Sequence, residues 1–118
     1  MTDPTPADLL PLPPATLHIL LALADADRHG YAISQEIAAR TSGSVRMSAG
    51  TLYRSIQRMV EQGLIEECET RPAPAEDDER RRYYRLTPFG LDVARAETER
   101  LHALVQIARA HGVVPGTV

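Results

Sequence analysis

The apolar positions of residues 48–65 recur at helical spacing and stop at a glycine. The repeat is formed by Leu52, Ile56, Met59 and Val60. Ser48 is suited to cap the start of this helix, and Gly63 provides the left-handed residue that many helix ends require. The opposite side carries small, polar and charged residues: Gly50, Thr51, Arg54, Arg58 and Glu61. The pattern predicts an amphipathic helix that packs by one face and exposes two arginines on the other.

Three further helices are predicted around this segment. The run ATLHILLALADA after Pro14 is apolar nearly all round, which indicates a helix buried on more than one side. The segment GYAISQEIAART, after a polar turn at 25–29, has the repeat of a second helix. Thr87 and Pro88 form an N-cap and first-position pair, and the apolar stripe behind them predicts a final helix to about His111.

Two short β-capable segments lie between the arginine-bearing helix and the final helix. LIEECE follows the glycine, and RRYYRL can pair with it across a proline-containing loop to give a two-stranded hairpin. Alternation places Tyr84 and Leu86 on the face towards the helices. Tyr83 and Arg85 then form a basic, aromatic outer edge, although Tyr83 could instead be a half-buried ring with its hydroxyl in water.

The order helix, helix, helix, strand, charged loop, strand, long helix is typical of a winged helix-turn-helix with an appended helix. The fold class is therefore mainly α with a two-stranded β-hairpin. The predicted parts are a flexible proline-rich arm at 1–13, the winged domain at 14–86, a dimerisation helix at 87–112 and a tail at 113–118. In such a fold the third helix enters the major groove of DNA and the hairpin reaches a flanking backbone. An ordinary surface helix has the same pattern, so this segment alone leaves both interpretations open.

Composition narrows the class of protein. A chain of 118 residues that is 43% hydrophobic can form one compact domain without disulfides or metal, and its single cysteine, Cys68, is expected to be a packed thiol. The chain has neither a membrane-length apolar stretch nor a basic segment before its N-terminal leucines, which predicts a cytoplasmic protein. The histidines lack metal-ligand spacing, and neither a phosphate-binding glycine loop nor an activated nucleophile is evident. We therefore expect neither an enzyme nor a metal or cofactor site.

The charges are distributed unevenly along the chain. A net charge of −3 argues against indiscriminate nucleic-acid binding, yet residues 40–58 contain four arginines and no acidic residue: Arg40, Arg46, Arg54 and Arg58. A local positive surface is expected there. In the loop of the hairpin, Arg80, Arg81 and Arg82 suit phosphate contact. The acidic run 76–79 beside them would repel the same backbone, so a solvated charge run whose signs cancel fits equally well.

Three blocks in this order resemble the PadR-type transcriptional regulators: HGYAISQEIAAR at 29–40, SAGTLYRSIQRMVEQGLIE at 48–66 and RRYYRLTPFG at 81–90. The resemblance implies a homodimeric repressor that binds a pseudo-palindromic operator on double-stranded DNA and is released by a small-molecule effector. By position it also implies DNA contacts at Tyr31, Ser48, Gly50, Thr51, Tyr53 and Arg54. Arg54 departs from the proline that many relatives have there, and Tyr53 could instead be a half-buried ring with its hydroxyl in water.

Dimer formation is assigned to the final helix, because the chain resembles the small PadR-type subgroup with a single C-terminal helix. Packed against the first helix of a partner, this helix would bury apolar side chains at Leu17, Leu21, Val93, Leu101, Leu104 and Val105. A two-fold dimer would place two recognition helices roughly 34 Å apart, one turn of B-DNA. A monomer with this helix folded back is the alternative.

The effector and the function leave alternatives open. The chain has no Trp and a single Phe, Phe89, so stacking of a flat aromatic drug is in doubt and no effector residue is assigned. The acidic net charge also fits a winged-helix protein-interaction module that does not bind DNA. We expect DNA binding because the three blocks occur together.

Overall fold

The computed structural model describes residues 3–69 and 82–113, and within them it contains four α-helices and three short strands. The elements are α1 Pro14–Leu23, β1 Arg28–His29, α2 Gly30–Arg40, α3 Ala49–Glu61, β2 Ile65–Cys68, β3 Tyr83–Leu86 and α4 Pro88–Ala110. Three helices, a small antiparallel sheet and a long final helix confirm the predicted winged helix-turn-helix. The helices begin and end within a few residues of the predicted bounds.

The sheet has one strand more than the sequence predicted. Its order is β1-β3-β2, and both pairs are antiparallel. The predicted hairpin of β2 and β3 is present. The additional strand was not predicted, because Arg28 and His29, placed in a polar turn by the sequence, are extended and pair with β3. The expectation for Tyr83 is wrong, since this residue is 4% exposed. Its ring packs edge-on against His29 at a centroid distance of 5.3 Å, so the third strand covers the outer face.

The core lies where α1 meets the other three helices and β3, which confirms that α1 is buried on more than one side. Its largest fully buried apolar side chains are Ile19, Leu20, Ile33, Met59, Leu64, Ile65 and Val93. Burial of such side chains supplies the main favourable term in folding, at about 25 cal/mol per Å². The core therefore fixes the orientation of α3 relative to the other helices.

The start of α4 is fixed against the end of α3. The Thr87 hydroxyl accepts a hydrogen bond from the Gly90 N–H at 2.9 Å and donates to the Gly63 carbonyl at 2.6 Å. This confirms the predicted N-cap. At Gly90 a Cβ atom would lie 2.0 Å from the Leu64 carbonyl oxygen, so the helix can approach this closely only without a side chain.

The N-terminal segment packs on the domain, in contrast to the flexible arm expected from its prolines. Pro6–Leu9 form a 3-10 helix that contacts α4, and Leu12 is buried. The Leu12 N–H donates a 2.8 Å hydrogen bond to Glu97 Oε2 on α4. Glu97 is 2% exposed and also forms an ion pair with Arg100. Hydrogen bonding from Arg100 lowers the pKa of Glu97 below its ordinary value of 4.5.

The described ranges 3–69 and 82–113 contain neither a membrane-spanning helix nor a metal site. No helix in them is both long and apolar enough to cross a membrane. No group of three His, Cys, Asp or Glu side chains in them is arranged to hold a metal ion. Cys68 is buried, with its Sγ atom 3.8 Å from Asp27 Oδ2, as expected for a packed thiol.

Candidate nucleic-acid interface

The two ends of α3 are set by local hydrogen bonding and backbone conformation. Ser48 Oγ accepts a 3.2 Å hydrogen bond from the Thr51 N–H, so the predicted N-cap is present. Gly63 ends the helix with φ +76°, a value that a residue with a side chain adopts at a cost. Leu52, Ile56 and Met59 are buried on the core side. The helix is therefore held by its inner face and both ends, which leaves its outer face available.

The outer face of α3 carries long polar side chains and one glycine, Gly50, which has no side chain. Five residues on it are exposed: Gly50, Arg54, Gln57, Arg58 and Glu61. The Arg54 guanidinium lies over Gly50, where a Cβ atom would be 3.2 Å from Nη1. Gln57 is absent from the sequence-based site. Gln57 lies three residues after Arg54 and seven after Gly50, and this helical spacing could have identified it from the sequence. Its side chain is suited to adenine edges in the major groove.

A crevice of about 160 Å³ lies on the α1 side of α3. Its walls come from the start of α1 and from residues at i, i+3, i+4 and i+7 on α3: Pro13, Thr16, Thr51, Arg54, Ser55 and Arg58. A wider groove of about 540 Å³ lies between α3 and the sheet. It is bounded by Tyr53, Ile56, Gln57, Val60, Glu61, Glu67, Arg82 and Tyr84. The recognition helix thus stands between a basic crevice and a mixed polar and aromatic groove.

The two exposed tyrosines take different positions. Tyr53 is 51% exposed, and its ring packs on Gly30, where a Cβ atom would lie 2.8 Å from the hydroxyl oxygen. In the free chain the Tyr53 ring is therefore half-buried, which is the alternative that the sequence analysis left open. Tyr31 is 58% exposed on the first turn of α2. Both side chains are therefore accessible to solvent.

The expected positive surface is smaller than the count of arginines implied. Arg40 forms ion pairs with Asp25 at 2.9 Å and Glu36 at 2.8 Å, and it donates to the Leu21 carbonyl. The hydrogen bond from Arg40 lowers the pKa of Asp25 below its ordinary value of 3.8. The charge of Arg40 is thus offset by two carboxylates, and the residue lines neither the crevice nor the groove beside α3. In the described part of the chain, no acidic side chain pairs with the other three arginines of this region: Arg46, Arg54 and Arg58.

The basic residues of the hairpin strands are also paired. Arg85 donates to Glu66 at 2.7 Å, and Arg82 lies 4.0 Å from Glu67. These pairs are exposed and screened by solvent, so each stabilises the fold little and can be exchanged for another partner. Arg80, Arg81 and the acidic run 76–79 lie outside the described residues.

The residues assigned to dimerisation divide into two groups. Val93 is fully buried in the core of the single chain, so it is unavailable to a partner and its assignment is corrected. Leu17 packs against the same core. The stripe continues along α4 beyond the domain, where Leu104 is 54% exposed and Leu101 and Val105 are half-buried. Ile107, which the sequence analysis did not include, is 58% exposed beside them, and Leu21 on α1 is 38% exposed.

Comparison with known proteins places these features in a family. Residues 19–96 match the model of the Transcriptional regulator PadR-like family. An uncharacterized protein of Lysinibacillus sphaericus is 39% identical over 72 residues, which cover 61% of this chain and 63% of that protein. The chain thus spans less than two thirds of that relative. Transcriptional regulator Rv3488 of Mycobacterium tuberculosis is 39% identical over 93 residues, covering 79% of this chain and 78% of that protein.

A solved structure agrees in fold. A transcriptional regulator from Clostridium thermocellum superposes with a TM-score of 0.68 at 27% identity, covering 81% of this chain and 87% of that chain. The shared fold includes the winged helix-turn-helix described above.

Proposed function

This chain belongs to the PadR-like family of transcriptional regulators, and we propose that it regulates by sequence-specific binding of double-stranded DNA through α3. Family members are transcriptional regulators rather than enzymes. One observation carries the proposal: Arg54 and Arg58 lie on the exposed face of a helix whose opposite face is buried, and no acidic side chain of the described residues pairs with them. Unpaired guanidinium groups on such a helix suit guanine edges and phosphates.

The residues of the outer face take distinct roles in this proposal. Arg54 and Gln57 point away from the core and contact base edges, because Arg donates two hydrogen bonds in one plane to guanine, whereas Gln donates one to adenine and accepts one from it. Gly50 lets the helix approach the bases closely, as it presents no side chain. Thr51 and Ser48 lie at the helix start, where N–H groups face phosphate oxygens. Tyr31 and Tyr53 supply flanking hydroxyls.

The hairpin contacts a flanking backbone in the same proposal. Arg82 leaves Glu67 for a DNA phosphate at little cost, because the pair is exposed and weak. Arg80 and Arg81, outside the described residues, are proposed to contact phosphate as well. The hairpin thereby adds affinity, whereas α3 determines the sequence.

A homodimer completes the proposal. The apolar stripe of α4 covers the core in its first half and continues without a covering element of the described chain in its second half, at Leu101, Leu104 and Val105. A second copy that covers this surface would remove it from water and set two α3 helices on one face. Repression of a target promoter and release by a small molecule follow the family resemblance. A promoter–reporter fusion with and without the regulator tests the sign of regulation.

Charge reversal tests the DNA-binding role. Arg54→Glu should weaken binding to DNA from upstream of the chain's own coding region by at least about 100-fold, since it removes a base contact and repels phosphate. Arg95→Glu is the matched control, because Arg95 is exposed on α4 and the same charge change there should alter affinity less than about 3-fold. Size-exclusion chromatography and circular dichroism check that both variants keep the wild-type fold and assembly. Intact operator affinity in Arg54→Glu would remove α3 from the interface.

A protein-interaction module is the second candidate. The ion pairs of Arg82 and Arg85 with β2 favour it, because they neutralise the strands that should meet DNA. This candidate requires that neither the chain's own upstream DNA nor neighbouring promoters bind preferentially. The same titrations therefore separate the two functions.

A further inference from the structure

The crevice between the start of α1 and α3 is lined by groups that attract an anion. Two guanidinium groups and three hydroxyls face it, and no acidic side chain is among its lining residues. Donors of this kind suit a group with several acceptor oxygens. Arg54 and Arg58 are shared with the outer face of α3, so the crevice opens beside the surface proposed to meet DNA. Thr16 and Ser55 have no role in the recognition of bases proposed above.

Thr16 marks the crevice as a binding site. Thr16 is buried, with 5% of its surface exposed. No residue of the described chain forms a hydrogen bond with its hydroxyl. Among the described residues, every fully buried side-chain nitrogen or oxygen atom has a partner, so the Thr16 hydroxyl reaches solvent through the crevice that it lines. A bound group with acceptor oxygens would take the place of water as its hydrogen-bond partner.

The N-terminus of α1 adds a second source of positive potential. This helix has ten residues and begins at Pro14, directly after Pro13 in the crevice wall. Aligned peptide dipoles place a partial positive charge at such an end. Pro14 has no N–H and the Thr16 N–H donates to the Pro13 carbonyl, so this end contributes potential and not direct hydrogen bonds. No acidic residue lies in the first turn to offset it. The helix end, the unpaired hydroxyl and the two arginines converge on one small volume.

We propose that this crevice binds one phosphate of the DNA backbone, with Thr16, Ser55 and Arg58 as its ligands. The inference rests on the proposed function, because the crevice lies next to the face of α3 that enters the major groove. A duplex seated on this face passes a sugar-phosphate strand along one side of the helix. Arg58 then fixes the position of the protein on the strand, whereas Arg54 contacts bases.

Removal of each ligand has a distinct signature on DNA. Thr16→Val should weaken binding to the operator and to a scrambled duplex alike, by about 5–10-fold, with an unchanged salt dependence. Arg58→Gln should lower the slope of log K against log salt by about 1 per protomer on both duplexes. In neither variant should the ratio of operator to scrambled affinity change more than about 2-fold. Thr98→Val is the matched control: Thr98 is exposed on α4, so its loss should leave both affinities unchanged.

A single modified phosphate tests the pairing directly. Operator duplexes with one neutral methylphosphonate at a time should include a position that weakens the wild type about 5–10-fold and Thr16→Val by less than about 2-fold. Ser55→Ala provides the second variant if Thr16→Val does not fold, and it should show the same coupling. The inference is overturned if no position couples to either variant, or if the variants change only the preference between duplexes.

The result also separates this inference from the proposed function. If the wild type shows no preference for any promoter DNA, the proposed function fails. If it binds its operator but no phosphate couples to Thr16 or Ser55, only the phosphate site fails. Titration of the ¹⁵N-labelled protein with inorganic phosphate identifies the source. Local shifts at Thr16 and Ser55 in a protein whose DNA binding ignores both variants would assign the crevice to a free phosphate and overturn the DNA assignment.

Discussion

The buried carboxylate of Glu97 joins the N-terminal segment to α4, and its removal should destabilise the whole fold. Glu97 Oε2 accepts the Leu12 N–H at 2.8 Å and the Arg100 Nη2–H at 3.1 Å. Glu97→Ala leaves the Leu12 N–H buried without an acceptor, which costs about 1–3 kcal/mol. Loss of the Arg100 pair adds little, because the guanidinium is exposed to solvent. The free energy of unfolding should therefore fall by about 1–3 kcal/mol.

The expected change is large enough to measure by two methods. For a domain of this size about 3–5 °C of Tm corresponds to 1 kcal/mol, so Tm should fall by roughly 3–15 °C. Urea unfolding gives the free energy independently. Amide hydrogen exchange should show that the Leu12 N–H loses its protection, because its hydrogen bond to Glu97 is the contact removed.

Glu99→Ala is the matched control for this experiment. Glu99 is exposed two residues further along α4, so its removal should change stability by less than about 0.5 kcal/mol. A Tm within about 2 °C of the wild type in Glu97→Ala, or an unchanged exchange rate at Leu12, would refute the reasoning. Either result would mean that the N-terminal segment does not depend on Glu97.

Three further predictions concern acid stability, packing and assembly. The pKa of Glu97 is lowered in the folded chain, so the stability advantage of the wild type over Glu97→Gln should be complete above pH 4.5 and should disappear as the pH falls below it, measured by urea unfolding at each pH. Gly90→Ala should destabilise the fold by about 3 kcal/mol or more in the same assay, since its Cβ would overlap the Leu64 carbonyl. Leu104→Glu should convert the dimer to a monomer, as measured by light scattering. Gln106→Glu, on the opposite side of α4, is the control and should remain a dimer. A monomeric wild-type protein would contradict the proposed dimer.

Long periodic segments made most of the fold predictable from the sequence. The apolar repeat of α3, its Ser48 cap and the Thr87–Pro88 start of α4 each depend on neighbouring residues, and the structure has all three. The two-residue strand β1 was missed because two residues cannot show alternation. Its formation depends on Tyr83 and Tyr84 of β3, more than fifty positions further along the chain.

The candidate site was predictable in part for the same reason. Helical spacing identified Arg54 and Arg58 on the outer face. The same spacing also places Gln57 there, but the sequence analysis did not include it. Arg40 looked equally available, but its partner Asp25 lies fifteen positions away across a turn, and only the folded chain brings them together. Val93 was assigned to the dimer because an apolar stripe does not show where the chain's own core ends.

Long-range polar contacts were not predictable at all. Glu97 occurs in a polar, charged stretch of α4 and has the pattern of a surface residue, yet it is buried beneath a segment 85 positions away. Thr16 lies in an apolar run, and nothing in that run indicates an unpaired hydroxyl beside α3. Both features arise from packing of α1 and the N-terminal segment on the rest of the domain.

Titration by fluorescence anisotropy tests the central claim, recognition of DNA by α3, most directly. The wild-type protein is titrated into labelled DNA from upstream of its own coding region and into a scrambled duplex, each at two salt concentrations. The account predicts preferential binding to the upstream DNA, with log K falling steeply as log salt rises. Equal, weak binding to the scrambled duplex, to the upstream DNA and to neighbouring promoters would contradict it and would favour the protein-interaction module.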